Sequence, residues 1–271
     1  MRIIKKKKEL FKIVNKNEIS FIPTMGSLHK GHAYLIKKAK LKNTKIIVSI
    51  FVNPKQFNSK KDFLSYPRNF LGDVKFLKKL NIDYLYNPNI KDIFSFKIKN
   101  KFFKNHFSKK LCGKFRPGHF NGVLNIVNRF LEILKPKYIY LGEKDFQQMK
   151  LIKDHIIQNK INTTVIQCKT VRYKNSIPYS SRNLNLNKDN IHKACKIFNL
   201  IKKEKKNIKK NRVKKINLNN LKNKIIKYGV KKIDYLESIN VENFKNAKKY
   251  DENFKIFSAF YIDNVRLIDN F

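Results

Sequence analysis

The sequence predicts an α/β protein: a Rossmann-like, doubly wound parallel sheet followed by a smaller α+β domain at the C-terminus. Apolar runs rich in β-branched residues alternate with helical patterns over the first two thirds of the 271 residues. Continuous apolar strands are typical of a parallel sheet covered on both faces, and their alternation with helices is typical of doubly wound folds. The pattern changes near residue 175, so we expect a first domain at 1–175 and a small α+β lid domain at 176–271.

The elements of the first domain follow from local apolar patterns. Apolar residues recur at helical spacing at about 31–42, 62–80, 120–134 and 145–159. Short apolar runs between them predict buried strands at 18–22, 45–52, 82–86, 138–141 and 164–171.

The second domain is predicted from a change in composition. Lysine-rich helical sequence fills 188–228, and its segment 202–215 (KKEKKNIKKNRVKK) is nearly a pure charge run. Such a run is typical of a solvated helix face or of a mobile connector. Strand patterns follow at 233–239 and 254–262, before the ending VRLIDNF. Helices followed by strands predict a separate α+β domain.

The composition is that of a folded protein in a reducing compartment. Hydrophobic residues make up 42% of the chain, including 22 phenylalanines, and this content argues against disorder. The sequence has no run of 18 apolar residues and no signal-peptide pattern, so neither a membrane span nor secretion is expected. The scattered Cys112, Cys168 and Cys195 lack zinc-type spacing, so we expect three buried thiols and a cytoplasmic location.

The net charge of +43 leaves two interpretations open. Clustered lysine and arginine neutralise phosphates, which would suit a polyanion such as a nucleic acid. Alternatively, an adenine- and thymine-rich genome favours Lys, Asn, Ile and Phe together. The lysines are spread along the whole chain rather than gathered on one arm, which favours compositional drift. We therefore expect neither a nucleic-acid nor a membrane partner.

The stretch FIPTMGSLHKGHAYLI (21–36) carries the strongest chemical signal. A strand ends in SFIP, Gly26 and Gly31 let the backbone approach a ligand, and a helix begins near Gly31 or His32. His29 and His32 therefore lie at a helix N-terminus just past the carboxyl end of a strand. Open α/β sheets bind ligands at this position, and helix dipoles attract phosphate there. Imidazole groups so placed can donate hydrogen bonds to phosphoryl oxygens.

This H-x-G-H arrangement resembles the nucleotidyltransferase and class I synthetase superfamily, and the full string PTMGSLHKGH is similar to the pantoate–β-alanine ligase family. The resemblance implies that residues 1–175 bind ATP and pantoate and carry the catalytic groups. It assigns His32 and His29 to the α-phosphate of ATP. It also implies ATP contacts at Met25, Gly26, Ser27, Leu28, His29, Lys30, Gly31 and His32.

The segment SIFVNPKQFN (49–58) places Gln56 in a loop after the second strand. Asn53 and Pro54 end that strand, and an amide side chain can donate and accept hydrogen bonds at once. A loop glutamine by itself is most simply a solvated residue. The segment resembles the family's F-V-N-P-x-Q-F motif, which implies that Gln56 contacts both pantoate and β-alanine.

Two further blocks resemble the family. DFLSYPRNFLGD (62–73) is similar to the D-L-x-x-Y-P-R segment, where the family commonly carries adjacent acids associated with Mg²⁺. Here a glycine precedes Asp73, which leaves Asp73 open as a metal ligand or as a helix-surface carboxylate. FRPGHFNGV (115–123) matches R-P-G-H-F-x-G-V and favours a positioning role for Arg116 and His119 over a chemical one.

The block LGEKDFQQMKLI (141–152) follows another predicted strand end. A helix begins near Asp145, so Gln148 projects from the same face, and Lys144 can neutralise phosphate. An aspartate that caps a helix after a glycine is also ordinary structure. The resemblance to the family's G-E-K-D pattern implies a catalytic Lys144 and a pantoate contact at Gln148. It implies ATP contacts at Gly142, Glu143, Lys144 and Asp145.

The block VRYKNSIPYSSRN (171–183) supplies hydroxyl donors and a fixed cation that suit the β- and γ-phosphates. Without the other motifs, Ser-Ser-Arg would be a loop cap. Its resemblance to the family's L-S-S-R-N loop implies ATP contacts at Val171, Tyr179, Ser180, Ser181 and Arg182.

The approach to this loop departs from the family's D-G-L-A-L-S-S-R-N. The chain has Asn175, Ser176, Ile177, Pro178 and Tyr179 there. Losing a glycine and gaining a proline stiffens the backbone. We therefore expect an active enzyme with slower turnover.

These blocks, with VRLIDN (265–270) resembling the family's A-R-L-I-D-N, imply a ligase that joins pantoate to β-alanine through pantoyl adenylate, releasing AMP and diphosphate. The resemblance also implies Mg²⁺ and a homodimer. The enzymatic alternative is another H-x-G-H nucleotidyltransferase, which would need a basic pocket in place of Gln56 and Gln148. The non-enzymatic alternative is a basic nucleic-acid-binding protein, although the sequence shows no aromatic–basic interleaving of the single-strand-binding kind.

Overall fold

The apolar runs of the first 171 residues form a six-stranded parallel sheet in the computed structural model, which describes residues 1–174 and 176–271. The strands are β1 (Arg2–Ile4), β2 (Ile19–Thr24), β3 (Lys45–Ile50), β4 (Tyr84–Tyr86), β5 (Tyr138–Gly142) and β6 (Thr164–Cys168). Their order is β1-β4-β3-β2-β5-β6, and each neighbouring pair is parallel.

Helices fill the connections, because parallel neighbours need a crossover between them. They are α1 (Lys7–Val14), α2 (Lys30–Ala39), α3 (Lys60–Leu64), α4 (Phe70–Lys79), α5 (Ile90–Phe94), α6 (Cys112–Phe115), α7 (His119–Leu134) and α8 (Phe146–Gln158). Short 3₁₀ turns lie at Pro54–Gln56, His106–Lys109 and Glu143–Asp145.

Neighbouring residues of β2 show that helices cover both faces of the sheet, since successive side chains of a strand point to opposite faces. Ile22 packs in a core cluster with Leu35 of α2 and Leu77 of α4. Phe21 instead faces Phe130 of α7, with ring centroids 5.3 Å apart. The predicted doubly wound α/β class is therefore confirmed.

The edge strand β1 was not predicted from the sequence. It has three residues, and Arg2 and Ile3 are exposed, so the apolar pattern is too short to recognise. Its pairing with β4 supplies the order that the local sequence does not.

The single helix predicted over 62–80 is wrong, because α3 and α4 are separate helices. Pro67 lies between them; it lacks an N–H group and disfavours helical geometry in the residue before it. Arg68 donates hydrogen bonds to three backbone carbonyl groups within 63–66. Two of these acceptors, the carbonyls of Phe63 and Leu64, lie at the end of α3, where carbonyl groups lack intrahelical partners.

The chain divides into two compact units, Met1–Val171 and Arg172–Phe271, where the sequence placed a boundary between residues 175 and 176. The elements of the second unit are β7 (Arg172–Tyr173), β8 (Ile177–Pro178), α9 (Lys188–Lys210), α10 (Asn219–Lys227), β9 (Lys232–Asn240), β10 (Phe254–Ile262) and β11 (Val265–Asn270). Strand β10 pairs antiparallel with β9 and β11. Phe198 of α9 faces Phe260 of β10, with ring centroids 5.2 Å apart. The predicted smaller α+β region is confirmed.

The continuous helical stretch predicted over 188–228 is interrupted after α9. The backbone N–H of Val213 donates to the carbonyl of Ile208 at 3.1 Å, and Arg212 between them has a left-handed φ of +46°. This arrangement is a Schellman motif, which usually has glycine in the left-handed position. Ile208 is buried and most neighbouring lysines are exposed, so the charge run is a solvated helix face as far as residue 210.

The structure tests two expectations from the composition: the burial of the cysteines and the absence of a membrane-spanning helix. Cys112 and Cys168 are buried, but Cys195 is partly exposed, so the prediction of three buried thiols is wrong for Cys195. In the part of the chain that the structure describes, no helix combines the length and apolar character needed to cross a membrane.

Phe130 tests how much the α7 face of the sheet contributes to stability. Its side chain is buried, and its ring faces those of Phe21, Phe51 and Tyr86. We expect Phe130→Ala to lower the free energy of unfolding by about 3–5 kcal/mol, because truncation leaves a cavity among aromatic rings. Chemical denaturation measures this change. The control is Phe11→Ala on α1, where the side chain is 45% exposed; an equal loss in both variants would contradict the prediction.

Candidate active site

Several predicted site residues lie just after the carboxyl ends of neighbouring parallel strands. Strand β2 lies between β3 and β5, so the chain proceeds from β2 in both directions across the sheet. Open α/β sheets bind ligands at such a switch point, at the carboxyl ends of the strands. His29 and His32 follow β2, Gln56 follows β3, and Lys144 follows β5.

The turn after β2 has a left-handed backbone. Gly26 has a φ of +79° and Ser27 a φ of +52°. A Cβ atom on Gly26 would lie 3.1 Å from Cγ2 of Ile50, so this position needs glycine for both its φ and its space. Thr24 holds the start of the turn: its hydroxyl oxygen accepts from the N–H of Gly26 at 3.2 Å and donates to the carbonyl of Ser49 at 2.6 Å.

The two histidines cap helix α2 with their side chains. Nδ1 of His29 accepts from the N–H of Gly31 at 3.1 Å, and Nδ1 of His32 accepts from the N–H of His29 at 3.2 Å. The ring centroids lie 4.0 Å apart. A neutral imidazole has one donor and one acceptor nitrogen, so both rings carry their proton on Nε2. Each histidine therefore presents an Nε2–H donor.

Both rings are neutral at physiological pH. Burial and, to a smaller extent, the positive charge of Lys144 lower the pKa of His29 to about 4, against an opposing effect of Asp145. The pKa of His32 lies well below its ordinary value, because the ring is desolvated and because His29 and Lys144 disfavour a second positive charge. The site thus combines two uncharged donors with one lysine.

Lys144 lies in the 3₁₀ turn between β5 and α8. Its Nζ is 3.6 Å from Oδ1 of Asp145, and its side chain is mostly buried. Glu143 accepts a hydrogen bond from Gln167 of β6. Asp145 immediately precedes α8 but does not cap it through its side chain. The ordinary capping interpretation of this aspartate therefore does not apply.

The structure separates the two adjacent glutamines of α8. Gln147 is buried; its amide donates to the carbonyls of Phe107 and Lys110 and accepts from the N–H of Cys112. Gln148 is partly exposed, and consecutive helix residues point about 100° apart. Gln147 thus holds the backbone just before and at the start of α6. The side chain of Gln148 points in another direction and is partly exposed.

Gln56 is buried beside the histidine turn. Its Nε2 lies 2.7 Å from Sδ of Met25, and its Oε1 accepts from Nδ2 of Asn53 at 3.4 Å. Asn53 is fully buried and also donates to the carbonyl of Gly122 at 3.0 Å. The end of β3, the turn at Gln56 and the start of α7 are therefore joined through Asn53.

The R-P-G-H block fixes the backbone of Gln56. Nδ1 of His119 donates to the Gln56 carbonyl at 2.7 Å, and Nη2 of Arg116 donates to the same oxygen at 3.3 Å. A Cβ atom on Gly122 would lie 2.2 Å from the carbonyl oxygen of Lys55, so α7 approaches this turn closely only because residue 122 is glycine. These contacts are consistent with the positioning role expected for Arg116 and His119.

The remaining predicted ATP contacts of the first unit lie along the same loops. Lys30 is exposed at the start of α2, and Leu28 is partly buried. Gly142 ends β5, and Val171 ends the first unit.

Residues 180–182 belong to the second unit. The hydroxyl oxygen of Ser180 accepts from the N–H of Arg182 at 3.3 Å, at the start of the 3₁₀ turn Ser181–Asn185, and Ser181 is buried. Ser180 therefore acts as a loop cap. The rings of Tyr173 and Tyr179 meet edge to face, with centroids 6.3 Å apart. The phosphate contacts implied for this segment stay a prediction.

Two of the departures before this loop, Ile177 and Pro178, form β8 of a short hairpin. Pro178 pairs with Arg172, and its carbonyl accepts from Nδ2 of Asn183 at 2.9 Å. The hydroxyl of Ser176 donates to the carbonyl of Cys195 at 2.8 Å. Asn175 lies outside the described residues. The stiffer loop and the slower turnover expected from these departures stay predictions.

The structure excludes one of the two interpretations left open for Asp73. It is 3% exposed, so it is not a helix-surface carboxylate. Its Oδ2 accepts from the N–H of Ser27 at 2.8 Å, and its Oδ1 accepts from the N–H of Leu28 at 2.7 Å. Among the described residues, no group of three or more His, Cys, Asp or Glu side chains is arranged to hold a metal ion. Both carboxylate oxygens therefore accept hydrogen bonds from the turn, and the Mg²⁺ role of Asp73 stays a prediction. No local sequence signal marks them, because they join residues 45 and 46 positions apart.

The fold and the histidine turn define an enzyme of the H-x-G-H nucleotidyltransferase and class I synthetase type. The chain belongs to the pantoate–β-alanine ligase family, whose model, described as Pantoate-beta-alanine ligase, matches residues 2–271. The resemblance noted from the sequence motifs is thereby confirmed.

Curated and solved relatives agree with this assignment. The chain is 42% identical over 263 residues to the pantothenate synthetase of Francisella tularensis subsp. novicida, covering 96% of this chain and 91% of the relative. A crystal structure of the pantoate-beta-alanine ligase from Francisella tularensis, complexed with beta-gamma ATP and beta-alanine, matches with a TM-score of 0.85 and 41% identity, covering 100% of this chain and 97% of that one. The pantothenate synthetase of Thermus thermophilus matches with a TM-score of 0.90 and 26% identity, covering 100% and 99%.

The lowered pKa of His29 predicts that acid destabilises the protein. The pKa is about 4 in the folded protein and 6.5 ordinarily, so the unfolded chain takes up the proton first as the pH falls. The stability contributed by neutral His29 is complete above pH 6.5 and is lost as the pH falls toward 4. We expect a smaller decline in Tm over this window for His29→Asn, which can still cap α2 but does not titrate.

Thermal unfolding followed between pH 7.5 and about 4 measures this difference. The matched control is His192→Asn, since His192 is exposed on α9. If His29→Asn and the unsubstituted protein lose Tm with the same slope, the interpretation is wrong.

Substitution of Gly122 is expected to weaken pantoate binding, although Gly122 is not one of the predicted substrate contacts. Gly122→Ala must push the turn at Gln56 away from α7, because the new Cβ atom would overlap the Lys55 carbonyl. We expect KM for pantoate to rise by about tenfold or more, since displacing a positioning group by about 1 Å costs up to about 10²-fold. Steady-state kinetics measure it, with exposed Asn121→Ala on the same helix as control. An unchanged KM for pantoate in Gly122→Ala would refute the role of this contact.

Proposed function

We propose that this enzyme condenses pantoate with β-alanine at the expense of ATP, through a pantoyl adenylate, and releases pantothenate, AMP and diphosphate. The observation that carries this proposal is the pair of neutral histidines at the switch point, next to Lys144 and beside buried Gln56. The Francisella tularensis relative, complexed with beta-gamma ATP and beta-alanine, supports ATP as co-substrate and β-alanine as substrate.

In the first step, a carboxylate oxygen of pantoate attacks the α-phosphorus of ATP, the bond to the bridging oxygen breaks, and diphosphate leaves. Negative charge grows on the phosphoryl oxygens of the transition state. Nε2–H donors of His29 and His32 stabilise that charge, and Lys144 adds a positive charge. Because the rings are neutral, they donate hydrogen bonds without transferring a proton, as preorganised donors do.

In the second step, the amine of β-alanine attacks the acyl carbon and loses a proton, and AMP leaves as the amide bond forms. Gln56 and Gln148 orient the pantoyl group, and Gln56 also orients β-alanine. Both steps depend on positioning and charge stabilisation rather than on a covalent enzyme intermediate. The Asn53, Arg116 and His119 contacts keep Gln56 in place for both steps.

Several finer expectations stay predictions. The resemblance implies phosphate contacts from residues 180–182, Mg²⁺, a homodimer and a cytoplasmic location. No proposed step passes through a protein-bound metal ion. The spread of the lysines along the chain favours small-molecule substrates over a nucleic-acid partner.

A coupled assay for AMP tests the proposal. We expect AMP only when ATP, pantoate and β-alanine are all present. His32→Ala should reduce kcat by about 10²–10³, because it removes a preorganised donor. The exposed His192→Ala is the matched control and should leave kcat unchanged.

Two outcomes would contradict the mechanism. AMP formation without pantoate would show that the carboxylate is not the attacking group. Full activity of His32→Ala would remove the histidine from the transition state. Release of diphosphate with a stable adenylylated product and no AMP would instead indicate another nucleotidyltransferase of this class.

A further inference from the structure

A buried carboxylate lies against the turn that carries the histidines. Asp73, in the first turn of α4, accepts from the backbone N–H groups of Ser27 and Leu28 at 2.8 and 2.7 Å. A Cβ atom on Gly26 would lie 2.9 Å from Oδ2 of Asp73. One carboxylate therefore lies against three consecutive residues of the turn.

Backbone hydrogen bonds, rather than an ion pair, stabilise the negative charge of Asp73. Within the described residues, Asp73 has no ion pair with lysine or arginine. Burial raises the pKa of the carboxyl group, and the hydrogen bonds from Leu28 and Ser27 oppose that shift. Hydrogen bonds from N–H groups to an ionised carboxylate are stronger than neutral ones, so the carboxylate and the turn hold each other in place.

The turn needs such a partner because its backbone is unusual. Ser27 is not glycine, yet it has a φ of +52°, directly after Gly26 with +79°. A non-glycine residue keeps this conformation where its surroundings fix it. The bond to Asp73 fixes the N–H of Ser27 in that orientation. Helix α2 with His29 begins only a few residues later.

We propose that Asp73 is a positioning residue for the ATP-binding turn, which it holds through the backbone of residues 26–28. This inference rests on the proposed function, because the turn's task is to present His29 and His32 to phosphate. It also implies that the N–H groups of Ser27 and Leu28 are not donors to ATP. Any contact of these two residues with ATP uses other atoms.

The neighbouring glycine argues against a metal-binding acid pair at this position. A Cβ atom on Gly72 would lie 2.4 Å from Nδ2 of Asn69. Asn69 caps α4 by accepting from the N–H of Gly72 at 3.0 Å. A second carboxylate beside Asp73 would therefore displace the cap of the helix that carries Asp73.

Asp73→Asn tests the proposal with little change in size. The amide would present N–H donors to at least one backbone N–H group, which disrupts the turn. We expect weaker ATP binding by calorimetry and a loss of up to about 10²-fold in kcat/KM for ATP. KM for pantoate and the Mg²⁺ concentration for half-maximal rate should stay unchanged. The control is Asp83→Asn: Oδ2 of Asp83 accepts from the N–H of Ile46 at 2.9 Å, at the opposite edge of the same sheet.

Three results would overturn the proposal. ATP affinity unchanged in Asp73→Asn would show that the contact does not position the turn. A shift in the half-maximal Mg²⁺ concentration, with ATP affinity recovered at high Mg²⁺, would make Asp73 a metal ligand. An equal loss of ATP affinity in Asp83→Asn, in proportion to its fall in Tm, would make the effect one of general stability.

A second variant keeps the proposal testable if Asp73→Asn does not fold. Gly26→Ala disturbs the same contact from the side of the turn. It should weaken ATP binding, because the new Cβ atom would crowd Oδ2 of Asp73. Full ATP affinity in Gly26→Ala would overturn the proposal. ATP binding by the unsubstituted protein without AMP formation would refute the proposed function alone, because the binding comparison between variants does not need turnover.

Discussion

Parallel pairing of β2 with β3 on one side and β5 on the other is the constraint on which the site depends. The last residue of β2, Thr24, pairs in register with the last residue of β3, Ile50. The histidine turn and the turn at Gln56 therefore leave the sheet side by side. Lys144 follows β5, the other neighbour of β2, although it lies far from Gln56 in the sequence. Sheet topology, rather than local sequence, brings these groups together.

The charge state of the site histidines contrasts with the strongly positive net charge of the chain. The protein has a net charge of +43, but the two histidines at the switch point are neutral. Their rings are 4.0 Å apart, and Lys144 adds a positive charge nearby, so protonating either ring would bring like charges together. In the proposed reaction, neutral donors with one lysine would stabilise the additional charge that develops in the transition state. The local arrangement, rather than the overall charge, suits phosphate chemistry.

The sequence predicted the parts of the fold that have long or distinctive patterns. The strands of the sheet other than β1 and the motif-bearing turns are examples. The break between α3 and α4 could have been predicted from Pro67, because proline disfavours a continuous helix. The left-handed conformation of Arg212 could not, because a left-handed helix end without glycine leaves no signature in residue type.

The candidate site shows the same division between local and distant information. The H-x-G-H turn could be recognised because its residues are adjacent in sequence. The contacts of Asp73 could not, because its partners are backbone N–H groups of a distant turn, and every non-proline residue offers the same group. Gln147 and Gln148 also look alike in sequence; the burial of one separates them.

The capping of α2 by its two histidines places a folding role and the proposed chemical role in the same side chains. Each ring uses Nδ1 to complete the helix, and the proposed mechanism assigns Nε2–H to the phosphate. A lysine at these positions could donate to phosphate but could not accept the hydrogen bond that caps the helix. Imidazole performs both tasks because it has two nitrogens on opposite sides of one rigid ring. If the proposed mechanism holds, substitution at the start of this helix would lower both stability and activity.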